Sequence, residues 1–233
     1  MDLTYVARNV ADVRLRLDNA ARSAGRHRQD VRLLAVSKTF SLDHIRAAAE
    51  AGQTDFGENR VQEALQKIDR SADLKIRWHL IGTLQSNKVR KAVPRFSAIH
   101  SVDSRRLLDA IDQAATDAGT APELLVQVDL AGEATKHGAP PIEAAGIVRA
   151  AARCRSTRCV GLMTIPPFFE QPEDARPYFA QLRDLRATLV KEGLEPALLR
   201  ELSMGMSHDF EIAVQEGATI VRLGTAVFGK RQV

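Results

Sequence analysis

Lys38 is a candidate for covalent chemistry because of the segment it follows. The run VRLLAV (31–36) is apolar on both parities from Leu33 onward, as in a strand buried on both sides, and Lys38 comes just after it. The chain has eight lysines, and Lys38 alone follows an apolar strand. An amine in apolar surroundings has a lowered pKa, and the free amine can attack an aldehyde. A solvated lysine that closes a strand is the alternative interpretation.

Two later segments carry groups that could bind an anion. SMGMSHDF (203–210) and RLGTAVFG (222–229) contain small residues, hydroxyls and backbone N–H groups. Ser207 precedes the helical pattern HDFEIAVQEG, whose N-terminus favours an anion, and a plain N-cap is the alternative for this serine. Arg222 lies within the apolar stretch TIVRLGT. A charge in such a stretch needs a partner, so we expect a polar site around it.

The elements that must position these residues alternate along the chain. An opening helix is predicted by apolar residues at spacings of three and four, namely Leu3, Val6, Val10, Val13 and Leu17. The strand candidates that follow are VRLLAVS, TDFGE, IRWHLIG, SAIHSV, ELLVQVDL, CVGLMTI, LRELSMG and TIVRLGT. The helical patterns between them are SLDHIRAAAEAG, NRVQEALQKI, the shorter SNKVRKAV, SRRLLDAIDQAA, PPIEAAGIVRAAA, DARPYFAQLRDLRATLVKEG and HDFEIAVQEG.

Strands joined by helices imply parallel pairing. The order predicts an α/β fold, a single (β/α)8 TIM-type barrel with an additional N-terminal helix, in which residues 1–233 form one domain. An open doubly wound sheet is the alternative, but no GxGxxG follows the first strand. Such barrels often bind phosphate after strands seven and eight, where Ser207 and Arg222 lie. With Lys38 on strand one, this predicts a ligand that has both a carbonyl group and a phosphate.

Composition argues against several classes of protein. With 45% apolar and 27% charged residues, the chain is typical of ordinary globular proteins. The arginine-rich pieces ARSAGRHRQDVR and RAAARCRSTRC have no interleaved aromatics, so we expect no nucleic-acid partner. The start has no uninterrupted apolar region of a signal peptide, and no stretch approaches the roughly 18 apolar residues that cross a bilayer. Cys154 and Cys159 lack metal or redox spacing and fit free thiols, which favours a cytoplasmic location.

A resemblance to a known family rests on seven segments. They are AVSKTF, FGENRVQEALQK, WHLIGTLQSNK, HSVDS, GLMTIPP, LSMGMSHDFEIAVQEGAT and VRLGTAVFG, which follow one another from strand one to the C-terminus. In this combination the chain closely resembles the pyridoxal phosphate homeostasis protein family, which is similar in fold to the N-terminal barrel of alanine racemase. The resemblance covers nearly the whole chain. It implies that the cofactor is pyridoxal 5'-phosphate (PLP).

The resemblance also implies a role for each residue of a cofactor site. Lys38 would carry PLP as an internal aldimine, a Schiff base, and Arg222 would face the pyridine nitrogen. Ser207 would hold the phosphate together with the backbone around Gly224 and Thr225. The residues expected to line the pocket are Asn59, His79, Met163, Ser203 and Met206.

Three of the pocket residues also have simpler interpretations. Asn59, in the segment GENR, could cap the helix that follows it. His79 fits a core histidine whose ring nitrogens are satisfied within the protein. Met163 fits a flexible filler of the core.

Arginine at the ring nitrogen bears on whether the chain is a catalyst. Enzymes that use PLP as a strong electron sink commonly place a carboxylate there, whereas arginine only donates hydrogen bonds. Alanine racemase shares the arginine, but it has a second domain that contributes a catalytic tyrosine. Here Tyr5 and Tyr178 lie in helical segments and the chain ends at Val233.

We therefore expect a protein that is not an enzyme. It would bind PLP and contribute to intracellular PLP homeostasis and amino-acid balance. A small PLP-dependent amino-acid racemase is the alternative, and nucleic-acid binding is a third, weaker one. The partners we expect are the small-molecule cofactor and, transiently, PLP-dependent apoenzymes, with no membrane partner and a monomeric state.

Overall fold

The computed structural model describes residues 3–132 and 137–230, and its centre is a closed barrel of eight parallel strands. Each strand pairs with the next in chain order, and the last pairs with the first. The strands are β1 Arg32–Val36, β2 Asp55–Glu58, β3 Arg77–Leu80, β4 Ala98–Val102, β5 Glu123–Gln127, β6 Arg158–Met163, β7 Glu201–Ser203 and β8 Ile220–Leu223. The predicted (β/α)8 barrel is confirmed.

Helices cover the outside of this barrel. They are α1 Thr4–Ser23, α2 Leu42–Glu50, α3 Val61–Arg70, α4 Val89–Ala92, α5 Arg105–Ala118, α6 Pro141–Ala151, α7 Arg176–Lys191, α8 Phe210–Gln215 and α9 Thr225–Phe228. None of the helices in residues 3–132 and 137–230 is both long and apolar enough to cross a membrane.

The additional N-terminal helix is confirmed as α1. Its buried face includes Val6, Val10, Val13 and Leu17, the residues whose spacing predicts it. This face packs against α2, α8 and α9, so α1 lies beside the seam at which β8 meets β1. The helix thereby packs on the outer helices near the two strands that carry Arg222 and lead to Lys38.

The apolar core has two layers. The larger layer lies between the strands and the surrounding helices and contains, for example, Phe56, Phe179 and Phe210. A smaller cluster lies inside the barrel, and its members are Leu34, Val36, Ile81, Leu125, Val160, Met163 and Ile220. Because β1 contributes to both layers, its residues are apolar on both faces, as the sequence indicates.

All eight strands are shorter than the predicted segments, and for the last two the backbone shows why. A 3₁₀ turn at Pro196–Leu199 precedes β7, and Gly205 has a φ of +91° that ends the extended conformation after it. Gly161 allows β6 to come close to β7, because a Cβ at this position would lie 1.9 Å from the carbonyl oxygen of Glu201. β8 ends at Leu223 because α9 starts at Thr225.

Both cysteines are free thiols, as expected. Burial raises the pKa of Cys159 to about 11 and also raises the pKa of Cys154. A raised pKa keeps a thiol protonated at neutral pH, so neither residue has the character of a reactive thiolate.

Candidate functional site

Lys38 lies at the mouth of the barrel, next to the strand that carries Arg222. β1 pairs with β8 in a register that sets Leu34 beside Arg222. Leu34 and Val36 belong to the cluster inside the barrel, and Lys38 lies two positions beyond Val36, in the turn that follows β1. Lys38 is half-buried, in a tight turn in which the N–H of Phe40 donates to the carbonyl of Ser37 at 3.1 Å.

Ser207 brings together polar groups that follow β7 and β8. Its Oγ accepts hydrogen bonds from the backbone N–H groups of Gly224 and Ala226, each at 3.2 Å. The alternative interpretation of Ser207 as the N-cap of the next helix is wrong, because α8 begins at Phe210 and Asp209 is its N-cap. One hydroxyl and two N–H groups therefore converge at one point, which we call the serine corner (Ser207, Gly224, Ala226). Thr225 is exposed beside it.

Asp209 is a buried carboxylate next to the serine corner. Its Oδ1 accepts a hydrogen bond from the N–H of Met206 at 2.6 Å, and the residue is 6% exposed. Burial raises the pKa of Asp209, while the Met206 amide and the charge of Arg222 act against that rise. The carboxylate thus fixes the loop between β7 and α8. Gly205 allows the loop to turn, since a Cβ there would lie 2.5 Å from the Cβ of Ala213.

Arg222 places a buried positive charge below the mouth. Its Nη1 donates to Ser203 Oγ and its Nη2 donates to the carbonyl of Thr164, both at 2.8 Å. Burial lowers the pKa of Arg222 to about 10, with Asp209 acting in the opposite direction, so the guanidinium stays charged at neutral pH. Across residues 3–132 and 137–230, no carboxylate lies within ion-pairing distance of this guanidinium. A buried charge without a direct counter-ion favours binding of an anion nearby.

A row of hydrogen bonds runs from Arg222 down through the barrel. Ser203 Oγ lies 2.9 Å from His100 Nδ1, and His100 Nε2 lies 3.0 Å from His79 Nδ1. His79 Nε2 lies 3.0 Å from Asp55 Oδ1. Every member is buried, with at most 4% exposure. We call this row the interior hydrogen-bond chain. Both ring nitrogens of His79 have partners within it, which agrees with the interpretation of His79 as a core histidine.

A cavity of about 440 Å³ opens on the other half of the mouth. Of the predicted site residues, Asn59 lines this cavity, together with Arg60, Ile81, Gly82, Thr83, Gln127, Val128, Asp129, His137 and Ile165. Asn59 is not the N-cap of α3, since that position is Arg60. The Oδ1 atom of Asn59 is buried and has no hydrogen-bond partner within the described ranges. Met163 is fully buried inside the barrel, where its position also fits a core filler.

Comparison with known proteins identifies the family. Residues 12–232 match the family model described as alanine racemase, N-terminal domain. A pyridoxal phosphate homeostasis protein of Aquifex aeolicus (strain VF5) is 43% identical over 217 residues, which cover 93% of this chain and 94% of that relative. This chain belongs to the pyridoxal phosphate homeostasis protein family.

Other members of the pyridoxal phosphate homeostasis protein family agree over the whole barrel. The relative from Pseudomonas aeruginosa (PAO1) is 42% identical over 230 residues, covering 98% of this chain and 97% of the relative. The solved structure of PipY of Synechococcus elongatus PCC7942 with PLP bound is 40% identical and covers 96% of this chain and 100% of its own, with a TM-score of 0.86.

Three polar residues of this homeostasis-family chain were not among the predicted site residues. His100 and Asp209 lie in the segments SAIHSV and SHDF, where a polar residue inside a strand and an acidic residue before a helix were available signals. The third is Lys67, in the helical pattern NRVQEALQKI, whose charged and polar residues gave no signal of burial. The side chain of Lys67 is only 11% exposed and its Nζ lies 2.7 Å from both Glu58 Oε1 and Glu63 Oε1.

Proposed function

We propose that this chain binds PLP through Lys38 and holds the cofactor as a reserve that contributes to intracellular PLP homeostasis, the process for which its relatives are named. The observation that carries the proposal is the serine corner, which joins the loop after β7 to the end of β8, the strand that carries the charged guanidinium of Arg222. Both lie at the ends of β7 and β8, and β8 pairs with the strand that leads to Lys38. An anion-binding corner and an amine thus flank one half of the mouth.

The residues of this half of the mouth fit a phosphate ester. Phosphate oxygens accept hydrogen bonds from backbone N–H groups and hydroxyls. The N–H groups of Gly224 and Ala226 donate to Ser207 Oγ in this structure, and a phosphate oxygen would accept from them in place of that hydroxyl. Arg222 adds a positive charge that no carboxylate in the described ranges neutralises directly. The buried, unpartnered Oδ1 of Asn59 is a further polar atom available to a ligand at the mouth.

Lys38 would supply the covalent link. When bound, PLP offers an aldehyde carbon and a conjugated ring that withdraws electrons from it. The uncharged amine of Lys38 forms a C=N bond to that carbon, and the carbonyl oxygen leaves as water together with both amine hydrogens. No oxidation or reduction takes place, so the link is reversible and suits a reserve. His79, Met163, Ser203, Met206 and Thr225 complete the proposed cofactor site.

Arg222 supports a reserve rather than a catalyst. Guanidinium has five N–H donors and no acceptor, so it does not give a proton to a ring nitrogen at neutral pH. In the proposed site the ring nitrogen therefore stays an unprotonated acceptor, which weakens the stabilisation of negative charge at the α-carbon of an amino acid. We also propose that the chain is one cytoplasmic domain, acts as a monomer and meets PLP-dependent apoenzymes only transiently.

An absorbance scan with borohydride reduction tests the proposal. PLP added to the purified protein should produce a visible band that borohydride removes, and peptide mass mapping should then find the reduced cofactor on the peptide containing AVSKTF. Lys38→Ala should show neither the band nor the modified peptide. A Lys38→Ala protein that keeps the same reducible band contradicts the assignment. Size-exclusion chromatography with light scattering tests the monomeric state.

A further inference from the structure

The turn that carries Lys38 has an unusual backbone. Thr39 has a φ of +69°, and it is the one residue other than glycine with a positive φ in the part of the chain that the structure describes. The hydrogen bond from Phe40 to Ser37 makes Thr39 the third residue of a four-residue turn. Glycine is the usual residue where a turn needs a positive φ at this position, and a β-branched residue is strained there. Other contacts must hold the turn in this conformation.

Two side chains of α3 bind the backbone on either side of Lys38. Before the lysine, Lys67 Nζ donates to the carbonyl oxygen of Ser37 at 2.8 Å. After it, the N–H of Thr39 donates to Glu63 Oε1 at 2.6 Å. Both bonds join the neighbouring peptide groups to a rigid helix, so the Lys38 backbone is held from both ends.

A buried charge cluster anchors these two contacts. Lys67 Nζ lies 2.7 Å from Glu63 Oε1 and 2.7 Å from Glu58 Oε1, and the Glu58 side chain is fully buried on β2. Ser37 Oγ also donates to Glu58 Oε1 at 2.7 Å. We call Glu58, Glu63 and Lys67 the clamp. It ties the Lys38 turn to α3 and to the strand next to β1.

We infer that Glu63 and Lys67 are positioning residues that hold Lys38 for bond formation with the aldehyde of PLP. The inference rests on the proposed function of Lys38. Without the clamp, Thr39 relaxes to a negative φ, which changes the direction in which the Lys38 side chain leaves the backbone. The amine then spends less time where it can form the C=N bond and release water, so the bond forms more slowly.

The test measures how fast the C=N bond forms after PLP is added to the apo-protein. Stopped-flow absorbance records the rate. Glu63→Leu should slow it by about 5-fold to about 150-fold, the range that corresponds to backbone strain of this kind. Thr39→Gly in the Glu63→Leu protein should restore most of the rate, because glycine adopts a positive φ without strain. The matched control is Asp109→Leu, which removes the exposed Arg105–Asp109 pair of α5 and should leave the rate unchanged.

Rescue by glycine separates positioning from a general loss of structure, because glycine restores no contact of the clamp. A Glu63→Leu rate equal to that of the unaltered protein overturns the inference, and so does a failure of glycine to restore it. A second comparison uses two variants of Lys67. Lys67→Arg can still donate to the carbonyl of Ser37, so its C=N bond should form faster than that of Lys67→Met. Lys38→Ala keeps the two proposals distinct: a reducible bond that persists there rejects the proposed function, whereas equal rates in the clamp variants reject only the positioning role.

Discussion

His100 Nε2 lies 3.0 Å from His79 Nδ1, and the two rings meet edge to face inside the barrel. The groups at the ends of the interior hydrogen-bond chain decide which nitrogens carry hydrogen. Arg222 at one end only donates. At the other end, burial opposes ionisation of Asp55, but hydrogen bonds from His79 and Arg77 outweigh it and lower the pKa of Asp55, so this carboxylate only accepts.

The direction of every bond in the chain follows. Ser203 accepts from Arg222 and donates to His100 Nδ1, and His100 Nε2–H then donates to His79 Nδ1. His79 Nε2–H donates to Asp55. Both histidines are neutral in this arrangement, which agrees with the direction of the pKa shift of His100. The guanidinium of Arg222 is therefore oriented by groups that extend across the barrel.

Removing His100 should destabilise the protein. His100→Leu leaves His79 Nδ1 and Ser203 Oγ without their buried partner, and each unsatisfied group costs about 1–3 kcal/mol. We expect the free energy of unfolding, measured by urea denaturation, to fall by about 2–6 kcal/mol. His137→Leu, at an exposed histidine, is the control and should change it by less than about 1 kcal/mol. A similarly small change in His100→Leu would show that the interior hydrogen-bond chain contributes little to the stability of the protein.

The stability of the protein should decrease below about pH 6.5. Burial, together with the nearby charge of Arg222, lowers the pKa of His100 well below its ordinary value of 6.5. Because the folded-state pKa is below the unfolded-state value, neutral His100 stabilises the fold above pH 6.5, and this contribution is lost as the pH falls.

Urea denaturation across pH measures this effect. The expected contribution of His100 is up to about 1.4 kcal/mol per pH unit between about pH 6.5 and its folded-state pKa. The slope should be smaller in His100→Leu, and the difference between the two proteins removes the contributions of other groups. Asp55 has a lowered folded-state pKa and adds a further loss below about pH 3.8. Equal slopes for the two proteins above pH 4 would contradict the assignment to His100.

Ser207→Ala should weaken phosphate recognition selectively. The change removes a hydroxyl from the serine corner but leaves the amine of Lys38 in place. Loss of a hydrogen bond to a charged group costs about 1.5–3 kcal/mol, so the Kd for PLP should rise about 10-fold to about 150-fold. Unphosphorylated pyridoxal is the control ligand and should lose little affinity, as measured by absorbance titration. Equal loss for both ligands would place the phosphate elsewhere.

Racemisation of amino acids should be slow or undetectable. It requires removal of the α-proton and reprotonation from the opposite face, and each missing acid–base partner costs about 10²-fold to 10⁴-fold in rate. Both tyrosines have contacts elsewhere: Tyr5 donates to the carbonyl of Phe228, and Tyr178 packs against Phe169. PLP-loaded protein with L-alanine in deuterated water should therefore show little exchange by NMR. Rapid, saturable exchange that disappears in Lys38→Ala would support the racemase alternative.

Local patterns were enough to predict the barrel and several parts of its mouth. The spacing of Val6, Val10, Val13 and Leu17 predicts α1 because helical periodicity depends only on neighbours in the chain. The apolar run before Lys38 predicts β1 for the same reason, and the alternation of strands and helices predicts closure. The order of segments also indicates that Ser207 and Gly224 meet at one end, since parallel strands bring their carboxyl ends together.

Only the tertiary structure decided which polar side chains meet. His100 and Ser203 are hydrogen bonded although they are 103 positions apart in the chain, and Lys67 reaches the carbonyl of Ser37 from 30 positions away. Histidine, serine and lysine occur in many surface segments, so their types alone do not indicate burial or pairing. Their contacts depend on strand register and helix orientation, and both are set by packing across the whole barrel rather than by the residues near each one.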